Sequence, residues 1–154
     1  MGELANHPCI LKPPLAAAEF TVASNSLNDA SLTVLDFTRS KRLKRIVIGD
    51  DCFMYVNELK LTGLSELENV EIGMNCFTQH KNYYGSDPDR HFYLKNCPKL
   101  KSVKLGCYSF SDYTVIEIEN VDALEVIEIG KLDEVSYSFY WASLELKSIL
   151  IHSE

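Results

Sequence analysis

The side chains with chemical capacity are few and scattered. Four histidines (His7, His80, His91 and His152) and five cysteines (Cys9, Cys52, Cys76, Cys97 and Cys107) are the candidates for proton transfer, nucleophilic attack or metal ligation. None of the histidines recurs in phase with a carboxylate, so no acid–base pair is indicated. The odd cysteine count without CxxC spacing fits neither a disulfide framework nor a zinc site. Asp87 and Asp89, near His80 and His91, form a metal-like cluster. Ser86-Asp87-Pro88-Asp89 is nevertheless ordinary turn chemistry, and no metal is expected there. A Gly-rich phosphate loop, H-E-x-x-H and G-x-S-x-G are all missing from the chain. No catalytic residue is therefore assigned, no enzyme activity is expected, and no cofactor is implied.

What the sequence does carry is an internal repeat. Four segments superpose, beginning with Leu43-KR-Ile46-V-Ile48-Gly49-DDC-Phe53 and Leu67-EN-Val70-E-Ile72-Gly73-MNC-Phe77. They continue with Leu100-KS-Val103-K-Leu105-Gly106-CYS-Phe110 and Leu124-EV-Ile127-E-Ile129-Gly130. A fifth, Leu146-KS-Ile149-L-Ile151, follows, and the leading leucines stand 24, 33, 24 and 22 residues apart. An apolar pair precedes each of the first four units by a constant distance: Leu35 and Phe37, Leu59 and Leu61, Phe92 and Leu94, Ile116 and Ile118. Each apolar-x-apolar triplet predicts a short strand with alternate side chains on one face. One such unit cannot cover its own apolar face, so copies must stack to share a core. The prediction is a β-rich solenoid with two short parallel strands per coil and little helix. Phe53, Phe77 and Phe110 should form a buried column, and the glycines at the strand exits should allow a sharp turn.

Cys52 and Cys76 share their phase with Ser109, and Cys97 shares its phase with Leu64 and Val121, which reads as packing rather than reactivity. Cys107 is out of phase and is expected to be exposed. Outward positions alternate in sign: Lys44, Glu68, Lys101, Glu125 and Lys147 in one row, and Val47, Glu71, Lys104, Glu128 and Leu150 in another. In a parallel stack this is a self-neutralising ladder.

Composition agrees with a globular domain. Of 154 residues, 46% are hydrophobic and 24% charged, which excludes a disordered tail. The net charge of −7 argues against nucleic-acid binding, which needs surplus Lys and Arg. No apolar run approaches the length of a membrane-spanning helix, so no membrane insertion is expected. Glu3, Pro13 and Pro14 stand where a secretory leader needs a positive and then an apolar region, and Asn6 spoils a myristoylation signal. A cytoplasmic location is expected on these grounds.

The unit Leu67-x-x-Val70-x-Ile72-x-x-Asn75-x-Phe77 resembles the leucine-rich repeat superfamily. Ile48-Gly49-DD-Cys52-Phe53, its two counterparts, and Cys97-PK-Leu100-KS-Val103-K-Leu105 are similar to the BspA-like subtype. The subtype usually has Pro where this chain has Gly after the strand. The resemblance covers about residues 32–151 and implies protein–protein binding; its alternative fold is the α/β leucine-rich-repeat horseshoe. It also implies a second function, cell-surface adhesion or host interaction, with the chain then a fragment.

The repeat breaks twice. The long interval places an inserted loop at 79–90, carrying His80, Tyr83, Tyr84, Arg90 and His91 as candidate contacts to a partner protein. The second break follows Gly130, where Tyr137-Ser138-Phe139 echoes Tyr108-Ser109-Phe110 and where Tyr140 and Trp141 add a cluster of rings. Residues 1–31 are read as an N-terminal extension or partial cap and 32–154 as the solenoid. A strand at Ile149–Ile151 would leave a sheet edge open to self-association. The functional expectation is a non-catalytic interaction scaffold that presents an extended repeat surface to another protein.

Overall fold

A computed structural model describes residues 9–79, 90–130, 136–140 and 142–147. Short strands wind through two parallel sheets. The first sheet takes β1 (Cys9–Leu11), β3 (Leu32–Asp36), β5 (Glu58–Thr62), β7 (His91–Lys95), β9 (Val115–Glu119) and β11 (Ser143–Lys147). The second takes β2 (Glu19–Val22), β4 (Arg45–Ile48), β6 (Asn69–Ile72), β8 (Ser102–Leu105) and β10 (Val126–Ile129). The chain alternates between them, so each coil contributes one strand to each sheet. Among the described residues there is no helix, so the β-rich solenoid is adopted and the α/β horseshoe is not.

Register follows the repeat. Ile46, Val70, Val103 and Ile127 form one inward row, and Ile48, Ile72, Leu105 and Ile129 the next. Across the core, Leu35, Leu59, Phe92 and Ile116 are aligned in the same way. Leu43, Leu67 and Leu100 are fully buried where each coil bends toward the second sheet, while Leu124, in the last coil, packs partly buried against them. The phenylalanine column exists: Phe53 stacks on Phe77 with centroids 5.1 Å apart, and Phe77 on Phe110 at 4.7 Å. Phe139 continues it, stacking on Phe110 at 5.2 Å. The displaced echo of the repeat thus returns to phase at Phe139.

Three expectations need correcting. Gly49, Gly73 and Gly106 do not supply left-handed backbone. A Cβ on Gly106 would stand 2.5 Å from Gly73 C and Met74 N, and one on Gly73 would stand 2.8 Å from Gly49 C. These glycines are required because backbone stacks directly on backbone between coils. The left-handed conformations fall instead on the residues flanking each Cys or Ser: Asp51 and Phe53, Asn75 and Phe77, Tyr108 and Phe110, Tyr137 and Phe139. Cys107 is buried, not exposed. Leu146 is no leading leucine: β11 pairs with β9 so that Leu146 lies beside Ile118, which puts Lys147 in the first sheet next to Glu119.

The solenoid also begins earlier than Leu32, because β1 pairs with β3 and β2 with β4. Residues 9–22 therefore form a coil with strands in both sheets. Ile149–Ile151 lie outside the described residues.

Between strands, each coil repeats one turn. The side chain between the two left-handed residues donates to the carbonyl of the glycine position one coil back. Cys76 Sγ reaches Gly49 O at 3.0 Å, Ser109 Oγ reaches Gly73 O at 2.6 Å, and Ser138 Oγ reaches Gly106 O at 3.1 Å. Cys52 Sγ makes the equivalent bond to Ala23 O at 3.2 Å. A small donor is needed at this slot, and either thiol or hydroxyl serves. Burial pushes the Cys76 thiol up to about 12.

Candidate functional site

The inserted segment falls between Gln79 and Arg90. His80, Tyr83, Tyr84, Asp87 and Asp89 lie outside the described residues, as do His7, Trp141 and His152. What the structure defines is the base of the insertion, and it is a buried polar cluster. The Gln79 backbone N–H donates to Asp112 Oδ2 at 3.0 Å, and Arg90 Nη1 stands 3.4 Å from Asp112 Oδ1. The Arg90 and Asp112 side chains are only 3% and 1% exposed. One carboxylate therefore clamps both ends of the insertion.

The elements around the clamp hold it rigidly. Arg90 Nη2 donates to Met54 O at 3.5 Å, and the guanidinium lies 5.8 Å from the Tyr113 ring centroid. Tyr113 is fully buried and donates its hydroxyl to Val56 O at 2.6 Å. That burial holds its phenol well above its ordinary range. Thr78 Oγ1 and Ser111 Oγ share a buried hydrogen bond of 2.7 Å. The Arg90 carbonyl accepts from the Thr114 and Val115 N–H groups at 3.1 and 3.2 Å, which fixes where β9 starts.

Arg90, read from sequence as an exposed contact, thus points inward and is structural. A charge this deeply buried needs a close partner, and Asp112 is it. Counting back from Phe92 reveals its slot: Arg90 stands two residues before the aligned apolar position, where Thr33, Asn57 and Thr114 stand in other coils. Asp112, Thr78, Ser111 and Tyr113 were not singled out from the sequence. Tyr113 could have been, since it stands three residues after Phe110 as Val56 does after Phe53, each closing the same turn. Asp112 gives no such signal.

His91 opens β7 and lies on the outer face of the first sheet. Its ring stacks on Tyr93 with centroids 5.8 Å apart, and Lys95 Nζ stands 5.4 Å from the Tyr93 centroid. His91 Nδ1 is buried without a hydrogen-bond partner among the described residues. Burial, with Glu117 and Glu58 nearby, raises the Tyr93 phenol. On either side, Lys60 meets Glu58 at 2.9 Å and Lys95 meets Glu117 at 2.6 Å. The hydrogen bond to the carboxylate raises each ammonium above its usual range. The strip is therefore aromatic at its centre and charge-neutralised at its sides.

The ladder on the second sheet is looser. Arg45 lies 3.9 Å from Glu19 and 3.7 Å from Glu71, and Lys104 lies 3.8 Å from Glu128, all half-exposed. Exposed pairs of this kind contribute about 0–1 kcal/mol each. No group of three metal-ligating side chains occurs among the described residues. The arrangement around His91 can offer rings, an imidazole and paired charges to another molecule. Among the described residues, no nucleophile with an adjacent base is assembled there. Neither a family model, a curated protein nor a solved structure matches the chain.

Proposed function

We propose that this protein is a non-catalytic interaction scaffold of leucine-rich-repeat type, and that the insertion between Gln79 and Arg90 is the element it presents to a protein partner. The observation that carries this reading is the clamp: Asp112 accepts a part-buried hydrogen bond from the Gln79 N–H and holds the Arg90 guanidinium out of water. A merely tolerated surface insertion has no need of a buried ion pair at its base. A rigid frame with one anchored excursion is how binding loops are commonly positioned. His91 and Tyr93 extend the surface from that excursion onto the first sheet, with the ring stacking that suits them as contact residues.

The test replaces residues 80–89 by a short Gly-Ser link, keeping Gln79 and Arg90, and compares it with wild type in affinity capture followed by mass spectrometry. A circular-dichroism spectrum equal to that of wild type confirms the fold. A specific protein captured by wild type and lost with the deletion is the expected result. Capture of the same set by both forms ends the reading.

A further inference from the structure

We infer that the bend joining β3 to β4, with the tip of the coil before it, docks on an anionic phospholipid surface. This corner is separate from the insertion and does not rest on its reading. Arg39-SKRLK-Arg45 holds five cations in seven residues. Its other two positions anchor the run: Ser40 and Leu43 are buried, and the Leu43 N–H donates to Ser40 O at 3.1 Å. With those two side chains turned into the core, Arg39, Lys41, Arg42, Lys44 and Arg45 all stand exposed. The repeat does not require them. Where this bend has Lys41, Arg42 and Lys44, the bend after β5 has Ser65, Glu66 and Glu68, and the bend after β9 has Asp122, Ala123 and Glu125.

Little of this charge is neutralised. Arg45 lies between Glu19 and Glu71, but Lys41 Nζ donates to a neutral acceptor, Gly63 O, at 2.7 Å. Arg39, Arg42 and Lys44 make no ion pair among the described residues. The nearby carboxylates are shared with other cations: Glu66 is held by Lys99 at 3.0 Å, and Glu68 is flanked by Lys101 as well as Lys44. The coil before it sets an apolar tip beside these cations. Ser40 Oγ donates to Pro13 O at 3.4 Å, and the Lys44 and Arg45 N–H groups donate to Ala18 O at 2.8 and 3.2 Å. Between those contacts Pro14, Leu15 and Ala16 face water, Leu15 at 56% exposure.

An exposed leucine beside unpaired cations complements a surface with anionic headgroups over an apolar interior. Other polyanions fit less well. A single nucleic-acid strand binds on aromatic platforms, and none of the exposed residues of these two bends is aromatic. An acidic peptide that adds a strand needs a free edge, whereas the N–H groups of Lys41, Leu43, Lys44 and Arg45 are already paired within the solenoid. The net charge of −7 does not cancel the corner. At physiological salt, screening acts over about 8 Å, so carboxylates several coils away are not felt there.

Co-sedimentation of the full chain with phosphatidylcholine vesicles, with and without phosphatidylserine, tests this. Wild type should bind only the vesicles that contain phosphatidylserine, and salt of about 1 M, where screening shortens to about 3 Å, should release it. Arg39→Gln with Arg42→Gln should weaken binding about 25-fold, from about fivefold per cation. Leu15→Ser should weaken it about tenfold through lost apolar contact. Lys99→Gln alters a cation already paired with Glu66 and should bind like wild type. Unchanged urea midpoints show that the variants fold. Wild type that ignores phosphatidylserine overturns the inference, as does a Lys99→Gln loss equal to that of the double variant. Tighter binding to polyglutamate or single-stranded RNA than to the vesicles assigns the corner to a soluble polyanion and overturns it too.

Discussion

The carboxylate of Asp112 lies 3.4 Å from the Arg90 guanidinium, with both side chains nearly excluded from water. Twenty-two residues separate them in the chain, yet the stacking of coils brings them to one point at the base of the insertion. Removing one partner leaves the other as an uncompensated buried charge. Asp112→Ala should destabilise the fold by about 3–5 kcal/mol. The double variant Arg90→Met with Asp112→Leu should cost clearly less than the sum of the single changes. Urea unfolding of the four forms measures this, and additive losses would show that the two side chains do not interact.

The stacking glycines make a second, sharper prediction. Gly106→Ala puts a Cβ 2.5 Å from backbone atoms of Gly73 and Met74, which no rotamer change can relieve. Loss of stability toward the upper end of the about 1–3 kcal/mol of overpacking, or beyond it, is expected. Gly63 differs. Its φ is +67° and the nearest atom to a Cβ there is Lys41 Nζ. Asn96 and Asn120 hold the corresponding position at φ 54° and 53°. Gly63→Asn should therefore be nearly neutral and Gly106→Asn severe, as read by thermal midpoints.

Phe77 sits between Phe53 and Phe110 and is fully buried. Phe77→Ala should cost about 3–5 kcal/mol, combining lost burial with the cavity left in the column. A urea midpoint close to wild type would mean that neighbouring coils collapse into the gap.

Thiol reactivity separates packed from free cysteines. Cys52, Cys76, Cys97 and Cys107 are buried, whereas Cys9 is exposed. With its thiol pushed up to about 12 by burial, Cys76 holds almost no thiolate near neutral pH. A disulfide reagent at pH 8 should titrate one thiol rapidly in the native protein and all five in denaturant. Cys76→Ser should be tolerated, because Ser109 and Ser138 already make the same bond in later coils. Rapid reaction of more than one native thiol would contradict the buried ladder.

The repeat itself was legible from residue types and their intervals. Apolar residues at Ile46 and Ile48, repeated through Val70, Val103 and Ile127, fixed which strands must lie side by side. Only stacking can give such a pattern a continuous core, so periodicity was enough to determine the fold class. Phe53, Phe77 and Phe110 could be placed in one column for the same reason.

Periodicity is silent where each residue has a different partner. Why Gly106 must be glycine depends on a backbone one coil away, and its own φ gives no clue. Arg90 looked like a solvent-facing loop residue because composition does not reveal direction. Its burial is set by Asp112, which meets it only after the intervening chain has made a full turn. The sequence alone determined which positions repeat. The tertiary structure decided which non-repeating side chains face inward together, because desolvation and pairing depend on distances that no local interval encodes.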